Sequence, residues 1–142
     1  VDFYKMSSLN KMSFSTFNEN FTIKGDQEQL YRVFINLIKN SEDSISEKRA
    51  ENIDFKGKIS VEIDENNDYI TITQIDNGVG ITDLTKIMTP YYTTKRDGTG
   101  LGLPIVRKII NEHFGEVIIT NNKPGAKITI TLPKTIKWKV KF

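Results

Sequence analysis

Asp76-Asn77-Gly78-Val79-Gly80 and Gly98-Thr99-Gly100-Leu101-Gly102-Leu103 are the stretches on which the fold of this chain turns; between them they hold five of its nine glycines. Glycine lets a backbone approach a ligand closely and take φ > 0 without a steric penalty. The first stretch follows the alternating run Ile70, Ile72, Gln74, so it sits where a strand ends. The second opens a helical pattern over about 101–114, with Pro104 tolerated in the first turn and Gly115 as the C-cap. Upstream, Asn36-Leu37-Ile38-Lys39-Asn40 sets two carboxamides one helical turn apart on a common face. Together the three elements read as a nucleotide site. No Lys-Ser or Lys-Thr follows the glycines, so it is not a P-loop, and no βαβ unit surrounds them, so it is not a dinucleotide fingerprint.

Outward from these stretches, Phe21-Thr22-Ile23 alternates as a short strand that Gly25-Asp26 ends. Asp26 is a good helix N-cap, and Gln29 three residues on completes a capping-box pattern. Leu30, Phe34, Leu37, Ile38 and Ile45 recur at helical spacing, which predicts a helix over about 27–48, with Lys48 and Arg49 at its negative end. Ile59, Val61 and Ile63 alternate, and Glu65-Asn66-Asn67-Asp68 turns them into a hairpin with the strand before Asp76. A short helix is expected near 82–87 and a loop over 88–99. Val117-Ile118-Ile119 and Ile128-Thr129-Ile130-Thr131-Leu132 form a second hairpin around Asn121-Asn122-Lys123-Pro124-Gly125. Residues 1–19 read as a linker or the end of an upstream element, and 20–133 as the domain. In 134–142, Ile136, Trp138, Val140 and Phe142 alternate with Lys137, Lys139 and Lys141, as in an extra edge strand or a contact surface for another domain or a second copy. The order predicts an α+β two-layer sandwich: a mixed, mostly antiparallel sheet with helices packed on one face.

Composition narrows the function classes. The 142 residues suffice for one domain with a real core. Twenty basic against 18 acidic residues leave a net charge of +2, too balanced to imply a nucleic-acid partner. There is no cysteine and one histidine, which removes disulfides, thiolate chemistry and multi-histidine metal clusters. No apolar run approaches the ~18 residues of a membrane span, and no signal peptide is visible. The chain starts at Val1, and a longer parent protein is expected.

Several residue types here can carry chemistry, each with a plainer reading beside it. Carboxamide oxygens of Asn36 and Asn40 suit Mg²⁺, which takes one or two protein ligands plus phosphates and water; they equally suit caps or core hydrogen bonds. Asp76 can accept from an exocyclic amine such as that of adenine while Gly78 and Gly80 let a base lie against backbone, or it can bond its own turn. Gly98, Gly100 and Gly102 at a helix start favour phosphate. Lys95, in the loop Tyr91-Tyr92-Thr93-Thr94-Lys95, can reach a phosphate or stay solvated. His113, near the end of the second helix, reads as structural.

The order of these motifs resembles the asparagine, first-glycine, phenylalanine and second-glycine boxes of the histidine-kinase ATP-binding domain, whose Bergerat fold is shared with gyrase, MutL and the heat-shock chaperone ATPases. The likeness covers about residues 20–133. Within the family, Arg32-Val33 through Ser41, Pro90 through Lys95 and Gly98 through Val106 look most like the nitrogen-regulation (NtrY-like) kinases. The resemblance implies ATP and Mg²⁺ as cofactors, with Asn40 on the metal and Asn36 supporting it. It implies Asp76 on the adenine amine with Gly78 and Gly80 beside the base, and Val79, Ile81 and Leu103 as apolar walls. It implies Gly98, Thr99, Gly100, Leu101 and Gly102 around the phosphates, with Tyr92, Thr94 and Lys95 in a lid over the nucleotide. Hydrolysing members carry a Glu base where this chain has Asn36, which favours phosphoryl transfer. The partners implied are a histidine-bearing dimerisation domain of the same protein and a response regulator, with no nucleic acid and no membrane contact, in a cytoplasmic domain. Three positions depart from the family: Asp43 and Ser44 replace basic or aromatic residues, and Ala126 replaces a Thr. These motivate an alternative, a non-catalytic nucleotide-sensing module of the same fold.

Overall fold

The computed structural model describes residues 11–16, 25–86 and 102–134. Along the chain run β1 (Lys11–Thr16), α1 (Gln27–Glu51), β2 (Lys58–Glu65), β3 (Tyr69–Asp76), α2 (Gly102–Glu112), β4 (Glu116–Asn121) and β5 (Ala126–Pro133). The five strands form one sheet in the order β1-β2-β3-β5-β4, parallel between β1 and β2 and antiparallel elsewhere. This is the expected mixed, mostly antiparallel sheet, with β3 at its centre.

Alternation in the strands selects a single buried face. Register then lines the strands up in rows across the sheet: Ile63, Ile72, Ile130 and Val117 in one, and Val61, Gln74, Ile128 and Ile119 in the next. Onto this face pack Leu30, Val33, Phe34, Leu37 and Ile38 of α1 and Leu103, Val106, Ile109 and Ile110 of α2, forming one core. The opposite face carries Glu62, Thr73 and Thr129 in register. Among the described residues no helix is long and apolar enough to cross a membrane.

α1 starts where expected, with the Asp26 side chain accepting from Gln29 N at 3.1 Å, and extends to Glu51 rather than ending near 48. The backbone N–H of Asp26 donates to His113 Nε2 at 3.0 Å, so the second bond of a capping box comes from the far end of α2. His113 Nδ1–H donates in turn to Ile109 O at 2.7 Å. This pair of bonds sets the ring as a neutral tautomer joining α2 to the start of α1, which confirms the structural reading of this residue.

Three expectations need correcting. Residues 11–16, within the stretch read as a linker or the end of an upstream element, form the edge strand β1 along β2, with Met12 packed against the core. An edge strand has one neighbour and needs few apolar residues, so its composition conceals it. Gly115 is not the left-handed C-cap: Phe114 is, at φ 61°, with Gly115 N donating to Ile110 O and Phe114 N to Asn111 O in a Schellman arrangement. Gly115 is needed instead for close packing, since a Cβ there would sit 2.5 Å from Thr131 O. In place of the helix expected near 82–87, residues 84–86 form a turn, closed by Thr85 N–H and Oγ1–H donating to Asp83 Oδ1 at 2.9 and 2.6 Å. The strand expected at 21–23, the loop 88–99 and the tail after Lys134 lie outside the described residues.

Candidate functional site

Asp76 is the last residue of the central strand and points to the buried face, two residues beyond Gln74. It is 5% exposed. Three elements converge on its carboxylate. From α1, Ser41 Oγ–H donates to Oδ2 at 2.8 Å. From its own loop, Gly78 N–H donates to Oδ1 at 2.9 Å, and from β5, Ala126 N–H reaches the same oxygen at 3.3 Å. A carboxylate offers about four acceptor positions. Three are filled by described residues, which leaves one, on Oδ2, without a donor among them.

Behind Ser41 lies Gln74, the polar member of an otherwise apolar row. Its Nε2 donates to Leu37 O at 2.8 Å and to Ser41 Oγ at 2.9 Å. Among the described residues every buried side-chain polar atom has a partner.

The loop after Asp76 is held on three sides. Asn77 bridges to the chain before β2, with Nδ2 donating to Lys56 O at 3.1 Å and Oδ1 accepting from Lys58 N at 2.8 Å. Ser44 Oγ accepts from Val79 N at 3.0 Å and occupies the space a Cβ at Gly78 would need. Asn121, at the end of β4, grips Ile81 by both backbone groups, accepting from its N at 2.8 Å and donating to its O at 3.0 Å. Gly125 takes φ 95°, and a Cβ on it would run into Asp76 O, so only glycine lets β5 start this close to the site. Val79 points outward, 46% exposed, and Leu103 belongs to the core cluster. At the outer edge of this loop the Thr85 hydroxyl, with its backbone N–H, holds the Asp83 carboxyl below its ordinary range.

The other half of the site is built on α1 and the start of α2. A Cβ placed on Gly102 would lie 3.5 Å from Asn36 Oδ1 and 3.8 and 3.9 Å from Asn40 Nδ2 and Oδ1. Both carboxamides therefore face the N-terminal end of α2, where the helix dipole favours negative charge. Asn36 Nδ2 donates to Arg32 O at 2.9 Å, one turn back, which turns its oxygen outward from its own helix. Two neutral hard oxygens beside a helix N-terminus fit a Mg²⁺ ion whose remaining ligands are phosphate and water. Tyr92, Thr94, Lys95, Gly98, Thr99, Gly100 and Leu101 lie outside the described residues.

Asn36 and Asn40, midway along α1, are thus brought beside Gly102 at the start of α2, and Ser41, next along α1, reaches Asp76 at the end of β3. Sequence reasoning missed Ser41, Gln74, Ser44, Asn121 and Gly125. Two of these carry a signal in the sequence: Ser41 interrupts the buried stripe of α1, and Gln74 the buried alternation of β3.

The chain is similar to known proteins over most of its length. The family model described as histidine kinase-, DNA gyrase B- and HSP90-like ATPase matches residues 25–136. The chain is 39% identical over 115 residues to a putative NtrY-like sensor histidine kinase of Rickettsia conorii, covering 79% of this chain and 18% of that protein. It is 40% identical over 124 residues to the sensor histidine kinase ZraS of Salmonella typhimurium, covering 82% and 25%. The chain spans roughly a fifth to a quarter of the length of these relatives. Their near-equal identities do not separate one branch of sensor kinases from another. Among solved structures, the catalytic domain of histidine kinase ThkA superposes with a TM-score of 0.77 at 30% identity, covering 94% of this chain and 84% of that one. A complex of ThkA with the response regulator protein TrrA superposes at a TM-score of 0.72 and 27% identity, covering 93% of this chain and 36% of that one. With its sheet order, its Asp76 loop and its paired asparagines facing Gly102, the chain belongs to the histidine kinase-, DNA gyrase B- and HSP90-like ATPase family, as a catalytic domain of the sensor histidine kinase kind.

Proposed function

We propose that this chain binds Mg-ATP and presents its γ-phosphoryl group to a histidine on a separate dimerisation domain of the same protein, for relay to a response-regulator aspartate. The reading rests on one observation above the rest: the buried Asp76 carboxylate keeps a single acceptor position, suited to the exocyclic amine of adenine. Asn40, with Asn36 beside it, would hold the metal. When bound, Mg²⁺ neutralises charge on the phosphates. Asn36 stands where hydrolysing relatives place a Glu base, and a carboxamide takes no proton from water, which supports transfer rather than hydrolysis. The solved complex of the similar kinase ThkA with a response regulator supports a partner of that class. A cytoplasmic placement follows from the same reading.

Asp43, Ser44 and Ala126 motivate the alternative of a non-catalytic nucleotide-sensing module. At one of these positions the departure serves the site, since Ser44 Oγ holds the Val79 backbone; the Ala126 contact to Asp76 is made by the backbone and is independent of its side chain. Calorimetric titration of Mg-ATP into the wild type and Asp76→Ala tests the adenine assignment; affinity should fall about a hundredfold or more, as for a buried charge-assisted contact, and equal affinity in both would sink it. Incubation with the separate dimerisation domain and labelled ATP tests the transfer, with histidine labelling as the expected result.

A further inference from the structure

We propose that Ser41 and Gln74 are positioning residues that set purine selectivity, by forming a one-way hydrogen-bond chain that locks Asp76 as an acceptor. The proposal rests on the nucleotide reading above.

The direction of the chain follows from chemistry at its far end. Leu37 O can only accept, so the Gln74 side-chain atom 2.8 Å from it must be the NH₂ group. The second hydrogen of that NH₂ then points to Ser41 Oγ at 2.9 Å, and Ser41 has to accept it. A hydroxyl has one proton. With Gln74 donating to it, Ser41 directs that proton to Asp76 Oδ2 at 2.8 Å. Donation starts at the Gln74 NH₂, which holds Leu37 O with one hydrogen and Ser41 Oγ with the other, and passes from Ser41 to the carboxylate; turning the Gln74 amide over would set its oxygen against Leu37 O, acceptor against acceptor.

Gln74 also removes a competitor. A serine inside a helix readily bonds the carbonyl four residues back, and for Ser41 that carbonyl is Leu37 O, which Gln74 already engages. Without Gln74, Ser41 could turn toward its own helix and release Asp76. The two residues lie deep, at 2% and 3% exposure, and reach the candidate site through the Ser41 bond to Asp76. Their effect on binding therefore passes through the orientation of Asp76.

A fixed acceptor favours a base with an amine at position 6 and disfavours one with a carbonyl there, because two acceptors would then face each other in a buried site. Without Ser41, Oδ1 stays held by the Gly78 and Ala126 N–H groups while Oδ2 loses its protein donor, so Oδ2 can shift about the held oxygen, its bond to an amine weakens and its clash with a carbonyl eases. Selectivity should fall while the phosphate contacts stay as they are.

The test compares ATP with ITP, which differ at position 6, by calorimetry in the presence of Mg²⁺. The wild type should prefer ATP by about a hundredfold or more. Ser41→Ala should reduce that ratio about tenfold, and Gln74→Leu, which matches its apolar row, by a smaller factor. Ser41→Cys keeps the side chain's size but is a weak donor and should behave like Ser41→Ala. Thermal melting checks that each variant is folded. If the variants lose affinity for ATP and ITP in parallel, or keep the wild-type ratio, the residues are structural only and the proposal is overturned. If the wild type binds neither nucleotide, the nucleotide reading itself fails, and this inference with it.

Discussion

The two ends of the site are built by different means. At the Asp76 end the contacts join residues far apart in the chain: Ser41 to Asp76 across 35 positions, Gln74 to Leu37 across 37, and Ala126 to Asp76 across 50. At the Asn36–Asn40 end the groups share one helix face, and Asn36 is tied to Arg32, four residues away. The first end is a buried carboxylate whose hydrogen bonds come from three elements. The second is a local pattern of amides brought against the start of α2. The contrast teaches that the Asp76 end is inseparable from the tertiary fold, whereas one helical turn already pairs the asparagines; in the proposed function these are the adenine end and the metal end.

If that is right, mutations should divide cleanly between the two ends. The largest effect is expected at Gly125. Gly125→Ala puts a Cβ into Asp76 O at a φ of 95° and should cost about 3 kcal/mol of stability or more, with loss of ATP binding; a variant that melts like the wild type in chemical denaturation would break the link between the β5 start and the adenine end. His113→Ala comes next. It leaves the Asp26 N–H without its partner and takes one of two donors from Ile109 O, which keeps the backbone N–H of residue 113, and should cost about 1–3 kcal/mol in denaturant unfolding. Because His113 touches neither end of the site, the ATP affinity of the folded variant should stay unchanged.

Asn40→Ala sharpens the other side of the comparison. It should weaken ATP binding about tenfold when Mg²⁺ is present and scarcely at all in EDTA, the equivalent of one charge-assisted contact of about 1.4 kcal/mol. A change of the same size with and without the metal would deny Asn40 its place beside the ion. The smallest effect belongs to Asp83, at the edge of the loop after Asp76. Hydrogen bonds from the Thr85 hydroxyl and backbone lower its carboxyl from an ordinary value of 3.8. A depressed folded value means its contribution is present above pH 3.8 and is lost as the pH falls below that, through the folded value. An NMR titration should find the Asp83 midpoint below 3.8 in the wild type and closer to 3.8 in Thr85→Ala.

Much of the fold is written in local periodicity. The helical spacing from Leu30 to Ile45, the N-cap at Asp26, both hairpins and the placement of Asp76 at a strand end can all be read residue by residue, because each depends on neighbours two to four positions away. The paired asparagines are legible for the same reason: one helical turn puts them on one face. What hid from the sequence was set at long range. β1 is a strand because β2 offers it an open edge. Phe114 rather than Gly115 takes the left-handed turn because Gly115 is pressed against Thr131 O.

The motif around Asp76 shows where the division falls. The residues themselves marked the carboxylate, the glycines and the kind of ligand they suit. Only the tertiary structure decided which acceptor position stays open, because Ser41, Gln74, Ala126 and Gly125 reach Asp76 through the register of β3 against β5 and the packing of α1 over the sheet. Local spacing specifies what a side chain is and which face it occupies. The direction of a hydrogen bond depends on partners dozens of residues away, and the fold alone brings those together.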